Sequence, residues 1–375
     1  MTSPDPNTPQ HNAVLVLPHI RVQNANAISS PMTWGFPAIT AFTGAMTALE
    51  RRLGRDAGIA FYGVGVICHG FEAQVTTSGY TRAFHLTRNP VQADGSTAGI
   101  VEEGRVHLDI TLVFDVQIND ANLEEAQRAA LAEQVAHILA GMRLAGGSVM
   151  PTLPGAPRKP SQPSLQRVPD GWQDDSSDDQ RAMHRSWFRN LSRRWLPGFA
   201  LVSRDDLLQS RLTQLRAVDA AATSLDAWLD LSRWTSRAVE QPAPPGSDQA
   251  PSVEWVTDPR QGWTVPIPVG FASLSTLHAP GTVNGTRDSH TPFRFVETVW
   301  SIGQWVGPHR LKRLGDLVWA PYNDHIPDQP AHQALYRCVN RYTPPPLLLH
   351  LPPRHTAIPT ETQGETPWLH KKTTP

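Results

Sequence analysis

Residues 105–118 read R-V-H-L-D-I-T-L-V-F-D-V-Q-I and alternate almost without interruption. Val106, Leu108, Ile110, Leu112, Phe114, Val116 and Ile118 fall on one face, and His107, Asp109, Thr111, Asp115 and Gln117 on the other. A period of two sustained this long predicts a β-strand with one face on a core. Upstream, the apolar run I-A-F-Y-G-V-G-V-I-C-H-G-F at 59–71 predicts a strand buried on both faces. A helix is predicted at about 37–53, with Ile39, Phe42, Met46, Leu49 and Leu53 at helical spacing, Pro37 in its first turn and Gly54 and Gly58 at its end. A short strand at 13–18 precedes it. Downstream, Leu131, Val135, Ile138, Leu139 and Met142 form the stripe of a second helix over 122–143. Asn122 is its candidate cap, and Glu124 and Glu125 suit its positive end. Gly146-Gly147 stops it before a strand at 147–150. The order β-α-β-β-α-β is that of a ferredoxin-like fold, so the chain is read as α+β with a ferredoxin-like core over 13–150.

The remainder is less regular. Residues 1–12 are polar and expected to be disordered. Pro, Ser and Asp dominate after 150, so 151–194 reads as a linker or solvated loop. Helices over 204–221 and 224–238, capped by Ser203 and by Thr223 or Ser224, give a helical insert within 195–262. Strands at 263–275, 293–305 and 317–321, with a basic helix near 309–316, return to the core over 263–342. The Pro- and Thr-rich stretch 343–375 is expected to be a disordered tail.

Formal net charge is -1, so nothing global announces a polyanion partner. The balance is uneven: residues 1–150 hold 9 basic and 13 acidic side chains, and 181–341 hold 18 and 14. Arg greatly outnumbers Lys, which suits bidentate phosphate and base contacts but also follows from codon bias. Two cysteines, Cys68 and Cys338, cannot build a disulfide framework or a Cys-rich zinc site. With no signal segment and no run of ~20 apolar residues, the chain reads as a reduced, cytosolic protein that needs no cofactor.

The polar stretch P-H-I-R-V-Q-N-A-N-A-I-S-S-P-M-T-W-G-F-P at 18–37 reads as a loop between the first strand and the first helix. Arg21, Gln23, Asn24, Asn26, Ser29 and Ser30 supply guanidinium, amide and hydroxyl groups, and Trp34 a ring that can stack on a base. The same residues also suit turn backbones and a helix staple. A second basic stretch, 281–313, contains G-T-V-N-G-T-R-D and G-P-H-R. There a Gly-rich loop with Arg287 can cradle phosphate, while Arg294, His309 and Arg310 add charge; a solvated hairpin explains it equally well. Arg204, Arg211, Arg233 and Arg237 either line a groove or form a solvated helix face. Gly63, Gly65 and Gly70 do not have dinucleotide-loop spacing and lie inside a strand, where glycine permits close backbone approach. The strand at 105–118 lacks the aromatic pattern of an RNA-recognition sheet. His19, His69 and His85 lie on separate elements and leave a metal-free ribonuclease open.

Several segments in order resemble the small subunit of type I-F (Csy-type) CRISPR surveillance complexes. They are R-V-Q-N-A-N-A-I-S-S-P-M-T-W-G-F-P-A at 21–38, F-H-L-T-R-N-P at 84–90, I-V-E-E-G-R-V-H-L-D at 100–109, W-L-P-G-F-A-L-V at 195–202, V-P-I-P-V-G-F at 265–271 and the runs between 285 and 297. The resemblance implies a modified RNA-recognition core with an inserted helical part. It also implies a non-catalytic role: binding the 5′ handle of the CRISPR RNA with the large subunit, and abutting the adjacent backbone subunit. Contact with target DNA in the assembled complex stays open, and no membrane role is implied. The alternatives are a metal-free endoribonuclease acting on repeat RNA and a scaffold without RNA contact of its own.

Overall fold

The computed structural model describes residues 12–79, 81–88, 91–120, 122–151, 162–169, 178–241, 252–257, 260, 262–324 and 335–344. Of the expected disordered ends, 1–12 and 343–375, all but Asn12, Thr343 and Pro344 lie outside the described residues, as do 152–161 and 170–177 of the expected linker; Asn12 is ordered, its Nδ2 donating to the Ile118 carbonyl at 2.9 Å. The chain is α+β and divides into two compact units, one of Met1–Arg233 with Gly262–Pro344, the other containing Trp234–Gln261.

In the first unit, β1 (Ala13–Asn26) leads through a small hairpin, β2 (Ile28–Ser30) and β3 (Thr33–Trp34), into α1 (Ile39–Leu53). Then come β4 (Ile59–Ala73) and two short hairpins. The first pairs β5 (Val75–Ser78) with β6 (Thr81–Phe84), the second β7 (Leu86–Arg88) with β8 (Ile100–Glu102). Strand β9 (Arg105–Ile118), α2 (Glu125–Ala140), β10 (Arg143–Leu144) and β11 (Gly147–Met150) follow. α2 starts three residues later than Asn122, because Glu124 and Gln127 form a reciprocal capping box. The segments β11, β1, β9 and β4 lie side by side in that order, all antiparallel.

Within 151–194, read from sequence as a linker, the chain forms β12 (Ser164–Arg167), which pairs with β1, and α3 (Asp178–Arg193). Helix α3 is so charged that it reads as solvated loop, yet His184, Phe188 and Leu191 are buried at helical spacing. Next are β13 (Phe199–Ser203), α4 (Asp205–Arg216) and α5 (Ser224–Ser232). Thr223 caps α5 as expected, its side chain accepting from the Asp226 backbone N–H. The predicted helix 224–238 stops at Ser232, since Arg233 turns extended and 236–241 is taken by a strand. In the second unit that strand, β14 (Ser236–Gln241), pairs with β15 (Ser252–Thr257).

Back in the first unit, β16 (Trp263–Ser273), β17 (Val296–Val306), β18 (Trp319–Asp324) and β19 (Leu335–Asn340) complete the eleven-stranded antiparallel sheet. The expected basic helix at 309–316 is instead two short 3-10 turns, Pro308–Arg310 and Leu314–Asp316. Strand β4 pairs with β13, and the order continues through β17, β16, β19 and β18 until Trp319 pairs with Val64, so this half of the sheet closes on β4. Glycine makes the closure possible: a Cβ on Gly63 would stand 2.3 Å from Val318 Cγ1, and one on Gly65 2.4 Å from Leu317 Cγ. Trp319 is fully buried and donates its Nε1–H to the Leu201 carbonyl at 2.8 Å.

The β1–β9–β4 layer is packed on both sides, unequally. On its first face Leu15, Leu17, Val22 and the alternating apolar set of β9 meet Phe42, Met46 and Leu49 of α1 and Val135 and Leu139 of α2. On its second face Val14, Val16, Ile67 and Val113 meet Phe188 and Leu191 of α3, Trp195 and Leu311, Leu314 and Leu317. The second core covers only one end of the strands. Thr111, Val113 and Asp115 are buried there, whereas His107 and Asp109 are not.

Replacing Gly63 by Ala is expected to lower the urea unfolding free energy by about 1–3 kcal/mol, the usual cost of overpacking. Gly99→Ala, with nothing within 4 Å, is expected to stay within about 0.5 kcal/mol of the parent.

Candidate nucleic-acid interface

The stretch read as a loop at 18–37 is strand as far as Asn26. Its apolar parity flips twice. Leu15 and Leu17 face the first core, then Val22, then Ala25 and Ala27, and the β1–β9 register shifts between Leu17 and Ile20 and again between Val22 and Ala25. In each break sits a non-glycine residue with left-handed backbone, His19 at φ 49° and Asn24 at φ 56°. Each bulge is pinned by a side chain of β9: the His19 N–H donates to Thr111 Oγ1 at 3.2 Å and the Asn24 N–H to His107 Nδ1 at 3.1 Å.

Between the bulges Arg21 and Gln23 stand exposed on the second face, beyond the end of the second core. Arg21 is level with Asp109 on one side and Met150 on the other, Gln23 with Ser148, and His107 with Glu72 of β4. These side chains line an open concavity of ≈ 450 Å³. Its chemistry is mixed. Because His107 Nδ1 accepts from the Asn24 backbone, the His107 proton sits on Nε2, so that nitrogen is a donor. Arg21 and the Gln23 amide also donate; Asp109 and Glu72 only accept. Asp109 also holds His19 Nδ1 at 3.1 Å.

The other sequence-nominated residues of this stretch lie on the β2–β3 turn. Asn26 brackets Ile28, accepting from its N–H at 3.1 Å and donating to its carbonyl at 2.8 Å. Ser29 and Ser30 hydroxyls meet Thr33 Oγ1 at 2.8 and 2.7 Å, and Trp300 Nε1–H donates to Ser30 Oγ at 2.9 Å. Their polar atoms therefore hold the turn. Trp34 is 42% exposed, tilted against Phe84 with centroids 5.9 Å apart, and lies over Gly104, where a Cβ would come within 3.0 Å of it.

A family model for the CRISPR-associated protein Cas_Csy2 matches residues 15–338. The chain is also 45% identical over 329 residues to CRISPR-associated protein Csy2 of Pseudomonas aeruginosa (strain UCBPP-PA14), covering 87% of this chain and 94% of that relative. The chain belongs to the Csy2 family. The type I-F resemblance read from the sequence holds, and the chain is a subunit of that type of CRISPR complex. The matched span runs from β1 into β19 and includes both candidate regions.

The second candidate group of this Csy2-family chain does not gather at the concavity's strands. Arg287 and Arg294 belong to the arm 274–295, whose base is joined by a bridge between His278 and Phe293. The tip is tied by Asp288, which accepts from the backbone N–H groups of His290 and Thr291 at 2.9 and 2.7 Å. Those bonds hold its carboxyl below the usual range. His309 and Arg310 are exposed on the 3-10 turn Pro308–Arg310. Arg204 and Arg211 form neither a groove nor a solvated face. Arg204 is fully buried against Asp206 and Gln304, and Arg211 is buried against Asp230, at 2.6 Å. Sequence reading passed over His107 and Asp109 as the polar side of a strand; their position opposite Arg21 depends on a register that the bulges conceal.

His19 and His69 are brought together, stacked with centroids 4.3 Å apart, whereas His85 lies between β6 and β7, exposed. His69 donates from Nδ1 to the Pro197 carbonyl at 2.6 Å, and Nε2 accepts from Thr111 Oγ1 at 2.8 Å. Both ring nitrogens are thus engaged, in the neutral tautomer. Burial is the largest influence and pushes its pKa below the ordinary 6.5; the Pro197 bond opposes this, His19 adds to it and Asp109 opposes it. Among the described residues no three His, Cys, Asp or Glu are arranged to hold a metal. The unfolded chain therefore binds a proton at this site that the folded chain refuses, so stability falls as pH drops from about 6.5 toward the lowered value. Urea midpoints measured across that window should fall with acid in the parent and fall less steeply in His69→Gln, with ring proton shifts reporting His69 titrating below 6.5.

Proposed function

We propose that this Csy2-family chain is a non-catalytic RNA-binding subunit that caps the 5′ handle of the CRISPR RNA together with the complex's large subunit and abuts the adjacent backbone subunit. The observation that carries the reading is the uncovered half of the second sheet face, where Arg21, Gln23, His107, Asp109 and Glu72 present donors and acceptors to solvent. The order β11-β1-β9-β4, with α1 and α2 on the opposite face, supports a ferredoxin-like core of the modified RNA-recognition kind. Apart from exposed Phe71 at its border, the concavity presents hydrogen-bonding groups, so recognition there works chiefly by hydrogen bonds to base edges.

Among the described residues that line the concavity Arg21 is the one arginine or lysine, with the carboxylates Asp109 and Glu72 following it on β9 and β4. Such a surface repels a run of phosphates and suits a base bearing an exocyclic amino group, which donates to Asp109 or Glu72 while a ring nitrogen accepts from His107 or Gln23. Asn24 and Trp34 flank it, and Asn26, Ser29 and Ser30 shape the turn that carries Trp34. Arg287 and Arg294 on the arm and His309 and Arg310 on the 3-10 turn form secondary contacts with the RNA backbone. Near-zero net charge makes binding by the isolated chain weak and dependent on the large subunit.

Labelled handle-bearing repeat RNA, titrated with the chain alone and with the large subunit, in EDTA and in Mg²⁺, tests the reading. Tight binding by the pair, with intact RNA and a loss of roughly tenfold for Arg21→Ala or Asp109→Asn, is the expected result. Cleavage by the chain alone would make it a nuclease. Binding by the pair that ignores both substitutions would leave it a scaffold.

A further inference from the structure

Helix α3 carries arginine at 181, 185, 189 and 193, one every four residues, and Arg194 follows directly. Successive members of such a row stand ~6 Å apart along the axis, at 1.5 Å rise per residue, comparable to the spacing of phosphates along an extended strand. Arg185, Arg189, Arg193 and Arg194 are exposed, and none of the four makes an ion pair among the described residues. Like charges four apart cost an isolated helix ~0.2–0.5 kcal/mol per pair, so the row disfavours its own helix. Buried His184, Phe188 and Leu191, the last two in the second core, fix α3 in place beside that row.

Two neighbours extend the row. The 3-10 turn Pro308–Arg310 packs against α3, bringing exposed His309 and Arg310 beside it. At the far end Arg194 and Trp195 line a cavity of ≈ 220 Å³ together with His19, the residue of the first β1 bulge. The row therefore ends where the open polar face begins. A chain of net charge -1 has concentrated exposed arginine at 185, 189, 193 and 194 beside that face.

We infer that the α3 row, with His309 and Arg310, is a phosphodiester-binding track that holds a nucleic-acid backbone as it runs onto or away from the open face. It supplies the phosphate contacts that the carboxylate-bearing face does not. Arginine is suited to the task, since its planar fork grips phosphate oxygens two at a time. The α3 arginines are additions to the site proposed above, which already holds His309 and Arg310, and the occupant of the track is either the handle RNA or a nucleic-acid duplex bound by the assembled complex.

The test uses the triple variant R185Q/R189Q/R193Q and the corresponding triple Arg→Lys variant. Each is paired with the large subunit and titrated with labelled handle RNA over a salt series; assembled complexes are titrated likewise with duplex DNA. Each phosphate contact contributes ~0.7 to the salt slope on single strands and ~0.9 on duplex DNA. The Gln variant is expected to lower the slope by about 2 or more and weaken binding at least tenfold on one of the two nucleic acids, naming the source. The Lys variant should retain most of the slope. Slopes unchanged on both nucleic acids would overturn the inference. So would an equal loss in the Lys variant with a lowered melting temperature, which assigns the row to folding. Failure of the Gln variant to co-purify with the large subunit at unchanged melting temperature would overturn it too, in favour of an acidic protein partner. If the parent pair ignores handle RNA, the capping reading falls and the duplex arm alone decides the track.

Discussion

Strand β1 is hydrogen-bonded along one side to β9 over most of its length, and along the other first to β12 and then to β11. It contributes to both cores, Leu15, Leu17 and Val22 to one and Val14 and Val16 to the other. To do so past residue 17 it bulges at His19 and again at Asn24. Left-handed backbone costs each of these residues roughly 1–2 kcal/mol, offset by the bonds from their N–H groups to Thr111 and His107. The same two bonds orient the β9 side chains that border the open face. Thr111 passes the interaction on to His69, which is tied in turn to the Pro197 carbonyl. Strand geometry and site geometry are thus one network.

The core was legible wherever a period ran unbroken. The alternation of β9 and the stripe of α1 place the buried side chains correctly, Ile39, Phe42, Met46 and Leu49 among them. The site was less legible for a physical reason. One inserted residue moves every later side chain of a strand to the other face, and two insertions within β1 turn a clean alternation into what reads as polar loop. Arg21 and Gln23 could be nominated by chemistry but not placed. Asn26, Ser29 and Ser30 were nominated by the same chemistry, and their hydroxyls and amide are engaged in holding a turn, the other use for such residues in a tight reversal. Helix α3 escaped notice because its buried apolar positions, Phe188 and Leu191, are few among so many charges, although its four-residue arginine spacing was visible.

Charge is sorted by burial. Arg204, Arg211 and Asp230 are buried and paired, and Asp205 joins α4 to β17 and β19 through Ser301 and Arg337. Removing one partner of such a buried pair strands the other, which is why these arginines belong to folding. Arg185, Arg189 and Arg193 of α3 and the mixed polar set around Arg21 lie at the surface on the same side of the sheet. One supplies charge without sequence information, the other hydrogen-bonding pattern with little net charge. Under the RNA-binding role proposed above, that division matches the two tasks of gripping a backbone and reading a base.

Ultraviolet cross-linking of the assembled ribonucleoprotein, followed by mass spectrometry of the linked peptides, tests the central claim most directly. The account predicts nucleotide adducts on the peptides holding residues 19–26 and 105–109, the two strands that border the open face. Adducts confined to the arm 274–295, or absent from this chain while the large subunit is heavily labelled, would contradict it.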